Sequence, residues 1–155
     1  MKISKTLIII FLAASFIGFL DAAYLTIQHY LGVVPPCAIT GGCATVLTSA
    51  YQKIFGIQVA LLGAIYYLAL FLLATAYLTS GRKEFILLAA LATPIGFIAS
   101  LWFVCLQLFV IKAICFYCMV SALTSTTLFV VGIMIIINYR KPMLTETAAQ
   151  NNITK

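Results

Sequence analysis

Charge is scarce in this sequence: nine Lys or Arg and three Asp or Glu residues make up 8% of its 155 positions. An average soluble domain is about 25% charged. Because so few charges cannot cover a globular surface, the composition excludes a soluble enzyme or a soluble binding domain. Disorder is excluded for the opposite reason, since 65% of the residues are apolar and the mean hydropathy is +1.18.

Four long apolar stretches predict a membrane protein. They cover residues 6–28, 57–79, 85–111 and 113–138, and each exceeds the roughly 18 residues that mark a spanning helix. The alternation of apolar and polar residues typical of a membrane barrel is absent. We therefore expect an all-α integral membrane protein, with a bundle of four transmembrane helices at 1–140 and a polar, frayed cytoplasmic tail at 141–155.

The start of the chain also resembles a signal peptide, with basic residues followed by an apolar run. The apolar stretch continues past Asp21 to Ile27, however, which is longer than a signal peptide needs. We therefore expect the first stretch to be a retained span.

The positive charges predict the orientation of these spans. If four spans alternate, Lys53 and Lys112 fall on one side, and the other seven fall together: Lys2, Lys5, Arg82, Lys83, Arg140, Lys141 and Lys155. Positive residues favour the cytoplasmic side, so we expect both termini to be cytoplasmic and the outer side to be the periplasm, the extracellular space or the ER lumen. The net charge of +6 is then a topology signal, and no nucleic-acid partner is expected.

Four of the five cysteines fall on the outer side, where disulfides can form and persist. Cys37 and Cys43 lie in the long outer segment at 29–56, separated by a flexible spacer that contains two glycines. Cys115 and Cys118 fall at the outer end of the fourth span. Cys105 lies within the third span and is interpreted as a small buried hydrophobe.

Cys115 and Cys118 form a C-x-x-C motif. On a helix, positions i and i+3 share a face, so the two sulfurs can join. The helix N-terminus and Lys112 both favour a thiolate at the first cysteine. A loop pair beside such a motif has the layout of a relay, in which thiolates attack disulfides and electrons pass into the membrane. The lipid-soluble acceptor of two electrons is a quinone.

Two other interpretations of the cysteines stay open. The loop pair can be a purely structural disulfide. Alternatively, the C-x-x-C motif can be half of a zinc site, which needs two further ligands. Because His29 is the only histidine, such a site would use all four outer cysteines. Among the other polar residues, Asp21 within the first span is either a functional carboxylate or a structural hydrogen-bonding group. Tyr66 and Tyr67 are interpreted as packing residues.

The spacing of these motifs resembles the vitamin K epoxide reductase family in its prokaryotic branch. The matching segments are GFLDAAYLTI at 18–27, PPC at 35–37, GGC at 41–43, ATVLTS at 44–49, FGI at 55–57, VALLG at 59–63, the tyrosine pair at 66–67 and CFYC at 115–118. They cover residues 18–118, which makes the match much more specific than any single motif.

The resemblance implies a redox relay through four catalytic cysteines. The loop pair, Cys37 and Cys43, exchanges disulfides with a thioredoxin-like partner of the Dsb-A type. Cys43 forms a transient bond to Cys115, and Cys118 faces a quinone of the menaquinone, ubiquinone or vitamin K type.

The resemblance also implies where the quinone binds: inside the four-helix bundle, under a half-embedded cap at about 44–55. Ser49 matches the family's cap-supporting serine or threonine, and Phe55 matches the aromatic residue ahead of the second span. Apart from the resemblance, Gln107 is expected either to face the bundle interior near the C-x-x-C motif or to form a hydrogen bond between helices. Gln107 and Phe103 complete the expected quinone-binding set. No metal is expected.

The sequence departs from the family in two places. It stops at Lys155 without a fused thioredoxin-like domain, so we expect a separate partner protein. Ala122 replaces the tyrosine of animal members, which favours quinone reduction over epoxide reduction. Two alternatives remain: a Dsb-B-type quinone reductase, in which C-x-x-C precedes the second span, and a non-catalytic membrane scaffold with a structural disulfide.

Overall fold

A computed structural model of the chain describes residues 4–33, 42–49, 53–54 and 56–153. The elements are, in order, α1 (Lys5–Tyr30), α2 (Cys43–Leu47), β1 (Lys53–Ile54), β2 (Ile57–Gln58), α3 (Val59–Ser80), α4 (Lys83–Cys105), a π-helical turn (Leu106–Ile111) and α5 (Phe116–Ile153). The two short strands pair antiparallel, with Lys53 opposite Gln58.

Four helices are long and apolar enough to cross a membrane, and they confirm the predicted fold class. They are Lys5–Tyr30, Val59–Ser80, Lys83–Ile111 and Phe116–Tyr139. The fourth begins at Phe116 rather than at 113, because Lys112 adopts the left-handed conformation (φ 53°) that ends the preceding helix. Residues 112–115 form a short non-helical connection.

Each spanning helix packs against two others. α1 lies against α3 and α5, and α4 lies against the same two helices, so the order around the bundle is α1, α3, α4, α5. Gly81 and Arg82 alone connect α3 to α4, with Gly81 at φ 66°. This up-and-down arrangement places the start of α1 and the α3–α4 turn at one end. The starts of α3 and α5 lie at the opposite end.

The core is apolar and draws on all four spans. Its largest fully buried side chains are Phe11, Leu70, Ile86, Leu128 and Ile135. Large apolar side chains also cover the outside of the bundle, among them Ile9, Leu72, Leu91, Ile95 and Leu123. An exterior of this kind suits contact with lipid, because the helices satisfy their own backbone hydrogen bonds.

Two glycines allow bulky tyrosines of α3 to lie between helices. A Cβ atom on Gly18 would lie 2.6 Å from the ring of Tyr67, and one on Gly96 would lie 2.5 Å from the Tyr66 hydroxyl. Small residues at such interfaces let membrane helices approach closely. The Tyr67 hydroxyl thereby reaches α5, where it donates a hydrogen bond to the Ser121 carbonyl at 2.8 Å.

The polar tail is helical rather than frayed. α5 continues without a break from the fourth span to Ile153, so the prediction of a frayed tail is wrong. Residues 141–153 include good helix formers, such as Met143 and Leu144, but also Pro142, which costs about 3 kcal/mol inside a helix. Local helix propensity therefore does not explain the continuation. The cytoplasmic location of the tail stays a prediction.

The prediction that Cys105 is buried is also wrong. Cys105 is a free cysteine and is exposed at the end of α4. The sequence around it is apolar on all sides, so the pattern could not distinguish the side facing the bundle from the side facing lipid.

The contact between Gly18 and Tyr67 gives a stability prediction. Gly18→Ala places its new methyl group against the Tyr67 ring, and overpacking of this kind costs about 1–3 kcal/mol. Gly63→Ala is the matched control, because a Cβ atom there would lie 3.6 Å from the Ala22 Cβ, an ordinary contact. The higher helix propensity of Ala contributes up to about 1 kcal/mol at both sites.

Thermal unfolding in detergent micelles measures the difference. We expect Gly18→Ala to lower the unfolding temperature and Gly63→Ala to leave it unchanged or raise it. Equal changes in the two variants would contradict the close packing of Gly18 on Tyr67.

Candidate functional site

The short helix α2 brings a loop cysteine into a buried cluster at one end of the bundle. Cys43, the first residue of α2, is 1% exposed, and it clusters with Val46 and with the fully buried Cys115. Cys43 is disulfide-bonded. Its expected partner, Cys37, lies outside the described residues, as does Phe55.

Gly42 explains how α2 can approach the start of α5 so closely. A Cβ atom at Gly42 would lie 2.7 Å from the Ile114 carbonyl oxygen and 2.9 Å from the Ile114 nitrogen. Only a residue without a side chain fits against this backbone. The glycine before Cys43 therefore sets the distance between the loop that carries Cys43 and the connection that carries Cys115.

Cys115 occupies the N-cap position of α5. The backbone N–H groups of Tyr117 and Cys118 donate hydrogen bonds to its sulfur, as donors at a helix N-terminus do. The Cys118 thiol, one helical turn further on, also hydrogen-bonds to the Cys115 sulfur. Both are free cysteines, so the two sulfurs that the C-x-x-C motif predicts to be neighbours do meet.

These hydrogen bonds lower the pKa of Cys115 to about 7, with the bond from the Cys118 thiol contributing most and burial opposing it. The sequence predicts a thiolate at this position because of the helix N-terminus and Lys112. The hydrogen bonds come from the pair itself and from the first turn of α5. Lys112 instead shapes the site through its left-handed backbone.

Gln107 connects the π-helical turn to the C-x-x-C motif. Its side chain is 2% exposed, and its Oε1 accepts a hydrogen bond from the Cys115 backbone N–H at 2.8 Å. The Gln107 side chain also hydrogen-bonds to Cys118. One amide group thus contacts both members of the pair. A π-helical turn is a frequent feature of functional sites, but no pattern in the sequence indicated one here.

A cavity of about 370 Å³ lies in the bundle beside this pair. Its wall combines residues of α1, the α2 cap, α3, α4, the π-helical turn and α5, and most of it is apolar. Pockets of 300–1,000 Å³ with few polar groups are typical of sites for small molecules. Three of the four residues expected to contact a quinone line it: Ser49, Phe103 and Gln107.

Cys118 lines the cavity, whereas Cys115 belongs to the cluster under α2. The C-x-x-C motif therefore contacts both the cluster that holds Cys43 and, through Cys118, the cavity inside the bundle; Cys118 also packs against that cluster. Ser49, just after α2, lines the cavity, and its hydroxyl donates a hydrogen bond to the Val46 carbonyl at 2.7 Å.

Several polar groups of the cavity wall were not expected there. Tyr66 and Tyr67 both line the cavity, although their pairing suggested packing alone. Gln58 also lines it and is buried, with its amide near the Leu25 carbonyl at 3.5 Å. Asp21 faces the same space, and its Oδ2 atom is buried without a hydrogen-bond partner among the described residues. Of these polar groups, the sequence indicated Asp21 alone, by the position of its carboxyl within an apolar span.

The zinc interpretation finds no support in the described part of the chain. No group of three His, Cys, Asp or Glu side chains there is arranged to hold a metal ion. Zinc binds cysteine as the thiolate, and the disulfide at Cys43 removes that ligand.

The hydrogen bond between the two thiols gives a prediction about pH. In the reduced protein we expect Cys115 to ionise with a midpoint near pH 7. Cys118→Ala removes the bond that contributes most, so the pKa of Cys115 should rise towards the ordinary thiol value of about 8.5. Ultraviolet absorbance of the thiolate, taken as the difference between each protein and its Cys115→Ala counterpart, measures this midpoint. An unchanged midpoint in Cys118→Ala would contradict the hydrogen bond.

Comparison with known families agrees with this geometry. The sequence model of the vitamin K epoxide reductase family matches residues 9–133 of the 155-residue chain. No curated protein matches the chain. The family match runs from within the first span to within the fourth, with the second and third spans and the C-x-x-C motif inside it, and it removes the Dsb-B-type alternative. The family comprises membrane oxidoreductases that act with quinones and thiol partners. This multi-pass membrane protein belongs to the vitamin K epoxide reductase family.

Proposed function

We propose that this oxidoreductase reoxidises a separate thioredoxin-like protein and passes the electrons through two cysteine pairs to a quinone. The observation that carries the proposal is the position of the C-x-x-C motif. Cys115 is buried against Cys43, and Cys118 faces the cavity. Electrons that arrive at the cap can therefore reach the cavity through one pair of adjacent sulfurs.

The first steps of the relay are exchanges between thiolates and disulfides. A thiolate of the partner attacks the Cys37–Cys43 disulfide at Cys37 and releases the Cys43 thiolate. Cys43 then attacks Cys115, which breaks the Cys115–Cys118 disulfide and frees Cys118. As the partner's second thiol closes its own disulfide, Cys37 is released. Cys37 then attacks Cys43, restores the loop disulfide and expels Cys115.

The low pKa of Cys115 suits this last exchange. Thiol–disulfide exchange is faster when the leaving thiolate is more stable, and the pKa of Cys115 is lowered to about 7 by the Cys118 thiol and the first turn of α5. After this step the loop pair is a disulfide and the inner pair is reduced. The described cysteines have the same redox states, since Cys43 is in a disulfide and Cys115 and Cys118 are free thiols.

The cavity fits the ring of a quinone. Its volume, its apolar wall and its few polar groups are those of a site that surrounds a flat apolar ring and orients it by single hydrogen bonds. Ser49, Phe103 and Gln107 would hold the ring, and Phe55 is a further predicted contact. A bound quinone supplies the capacity to accept two electrons and two protons. Cys115 and Cys118 give up the two electrons as their disulfide forms.

The same topology supports an outer, oxidising location for the cysteines. Lys5 begins α1, and Arg82 in the α3–α4 turn and Lys83 at the start of α4 lie at the same end of the bundle. By the preference of positive residues for the cytoplasm, that end is the inner side of a cytoplasmic membrane. The cap and the C-x-x-C motif then face the outer side, where a partner protein and disulfide chemistry are both available.

The test uses two electron donors, a reduced thioredoxin-like protein and a small dithiol. Cys118→Ala should abolish quinone reduction with both donors, because the cavity then lacks its sulfur. Cys37→Ala should abolish turnover with the protein donor but retain turnover with a small dithiol that reduces the inner pair directly. Absorbance of a soluble quinone follows the reaction under anaerobic conditions.

Cys105→Ala is the matched control, because this exposed cysteine lies outside the relay. It should retain both activities. Equal loss of both activities in Cys37→Ala, with Cys105→Ala active, would contradict a relay that begins at the loop pair.

A further inference from the structure

We propose that Asp21 is a catalytic residue that carries a proton from the Cys118 thiol to an oxygen of the quinone. The proposal deepens the function proposed above and rests on it. The relay leaves one group unused, the Asp21 carboxyl in the C-terminal half of the membrane-spanning helix α1. Ionisable residues inside membranes are costly, and those that proteins retain mark substrate and proton pathways.

Asp21 lies in the same wall as the reacting sulfur. Its side chain and Cys118 both line the cavity. The carboxyl interacts electrostatically with Cys118 and with Cys115. Oδ2 has no hydrogen-bond partner among the described residues, although it is buried. A buried polar atom without a partner costs about 1–3 kcal/mol, so a ligand or a thiol that bonds to Oδ2 regains that cost.

Other titratable groups of the wall are already engaged. The Tyr67 hydroxyl bonds to the Ser121 carbonyl at 2.8 Å, and the Tyr66 hydroxyl donates to the Ala92 carbonyl at 3.3 Å. No Lys, Arg or His residue is among the cavity-lining residues that the structure describes. Among the lining residues that the structure describes, Asp21 is the one carboxyl, which leaves it as the group able both to accept and to donate a proton there.

The chemistry requires such a group. Oxidation of the pair breaks the Cys118 S–H bond and forms the Cys115–Cys118 bond, and the two electrons pass to the quinone. The Cys118 proton moves to Oδ2 of the Asp21 carboxylate and from there to a quinone oxygen, which restores the carboxylate. The second proton comes from water on the outer side, which received the Cys115 proton when that thiolate formed.

The kinetic test compares Asp21→Asn and Asp21→Glu. Asn keeps the shape of the side chain and a polar amide in its place, but it cannot exchange a proton, whereas Glu can. In a single anaerobic turnover of the reduced protein with a soluble short-chain quinone, Asp21→Asn should react on the order of 10²-fold more slowly. Asp21→Glu should recover most of the rate. Reduction of the inner pair by a small dithiol, measured without quinone, should be unchanged in both.

Thr26→Val is the matched control on the same helix. It removes a buried hydroxyl whose hydrogen bond goes to the Ala22 carbonyl of its own helix at 2.8 Å, and Thr26 does not line the cavity. This variant should react like the parent. A parent rate in Asp21→Asn would overturn the proposal. Slowing of both the dithiol step and the quinone step would also overturn it, because that result indicates a structural role.

An infrared difference spectrum between the reduced and oxidised protein provides a readout without quinone. The sequence has three acidic side chains, Asp21, Glu84 and Glu146, so a carboxyl signal has few sources. Loss of the Cys118 S–H group on oxidation should shift the Asp21 band. The signal should vanish in Asp21→Asn, move in Asp21→Glu and persist in Glu84→Gln, which alters the first turn of α4.

The two readouts separate the proposals. A parent protein that consumes no quinone would defeat the proposed function, while the infrared signal would still test Asp21. A carboxyl signal that is absent in the parent, or that persists in Asp21→Asn, would defeat the role of Asp21 alone. If Asp21→Asn does not fold, the parent and Asp21→Glu spectra decide, because a band that does not move in Asp21→Glu overturns the proposal.

Discussion

The hydrogen bond from the Cys115 backbone to the Gln107 side chain joins the end of one span to the start of the next. It crosses a connection that contains a left-handed Lys112, and it fixes Cys115 at the N-terminus of α5. The first turn of α5 then directs its amides at the Cys115 sulfur. Without this bond the buried N–H of Cys115 would lack a partner, which would lower the stability of the fold by about 1–3 kcal/mol at the position that holds the thiolate.

The arrangement of the cap and the cavity follows from that position. Gly42 lets the chain of the cap touch the Ile114 backbone, so Cys43 is buried beside Cys115. One helical turn away, Cys118 faces the cavity. A relay needs sulfurs close enough for exchange, yet it needs the two ends to meet different reactants. An i, i+3 pair at a helix start satisfies both needs.

The four spans could be predicted from the sequence because length and apolarity decide membrane insertion, and each stretch exceeds the spanning length. The neighbouring sulfurs of Cys115 and Cys118 could also be predicted, because helix geometry brings i and i+3 together. The resemblance predicts Ser49 near a quinone, and the expected interior direction of Gln107 predicts the same for that residue; both line the cavity, as does Phe103. Their contact with a quinone stays a prediction.

Other features could not be predicted, for physical reasons. The spans are apolar on every side, so no stripe marks the face of α4 on which Cys105 is exposed or the face of α3 that carries Tyr66 into the cavity. The π-helical turn and the left-handed conformation of Lys112 depend on tertiary contacts, which a sequence pattern does not show. The helical tail beyond 140 has no apolar stripe and contains Pro142, so neither periodicity nor propensity predicts a helix there.

The central claim is that Cys115 and Cys118 reduce a quinone directly. The most direct test begins with the purified protein fully reduced under anaerobic conditions. A soluble quinone is then added, and free thiols are counted while quinone absorbance is followed. The account predicts that two thiols are lost for each quinone consumed, and that neither changes in Cys118→Ala. An unchanged thiol count in the parent protein would contradict it.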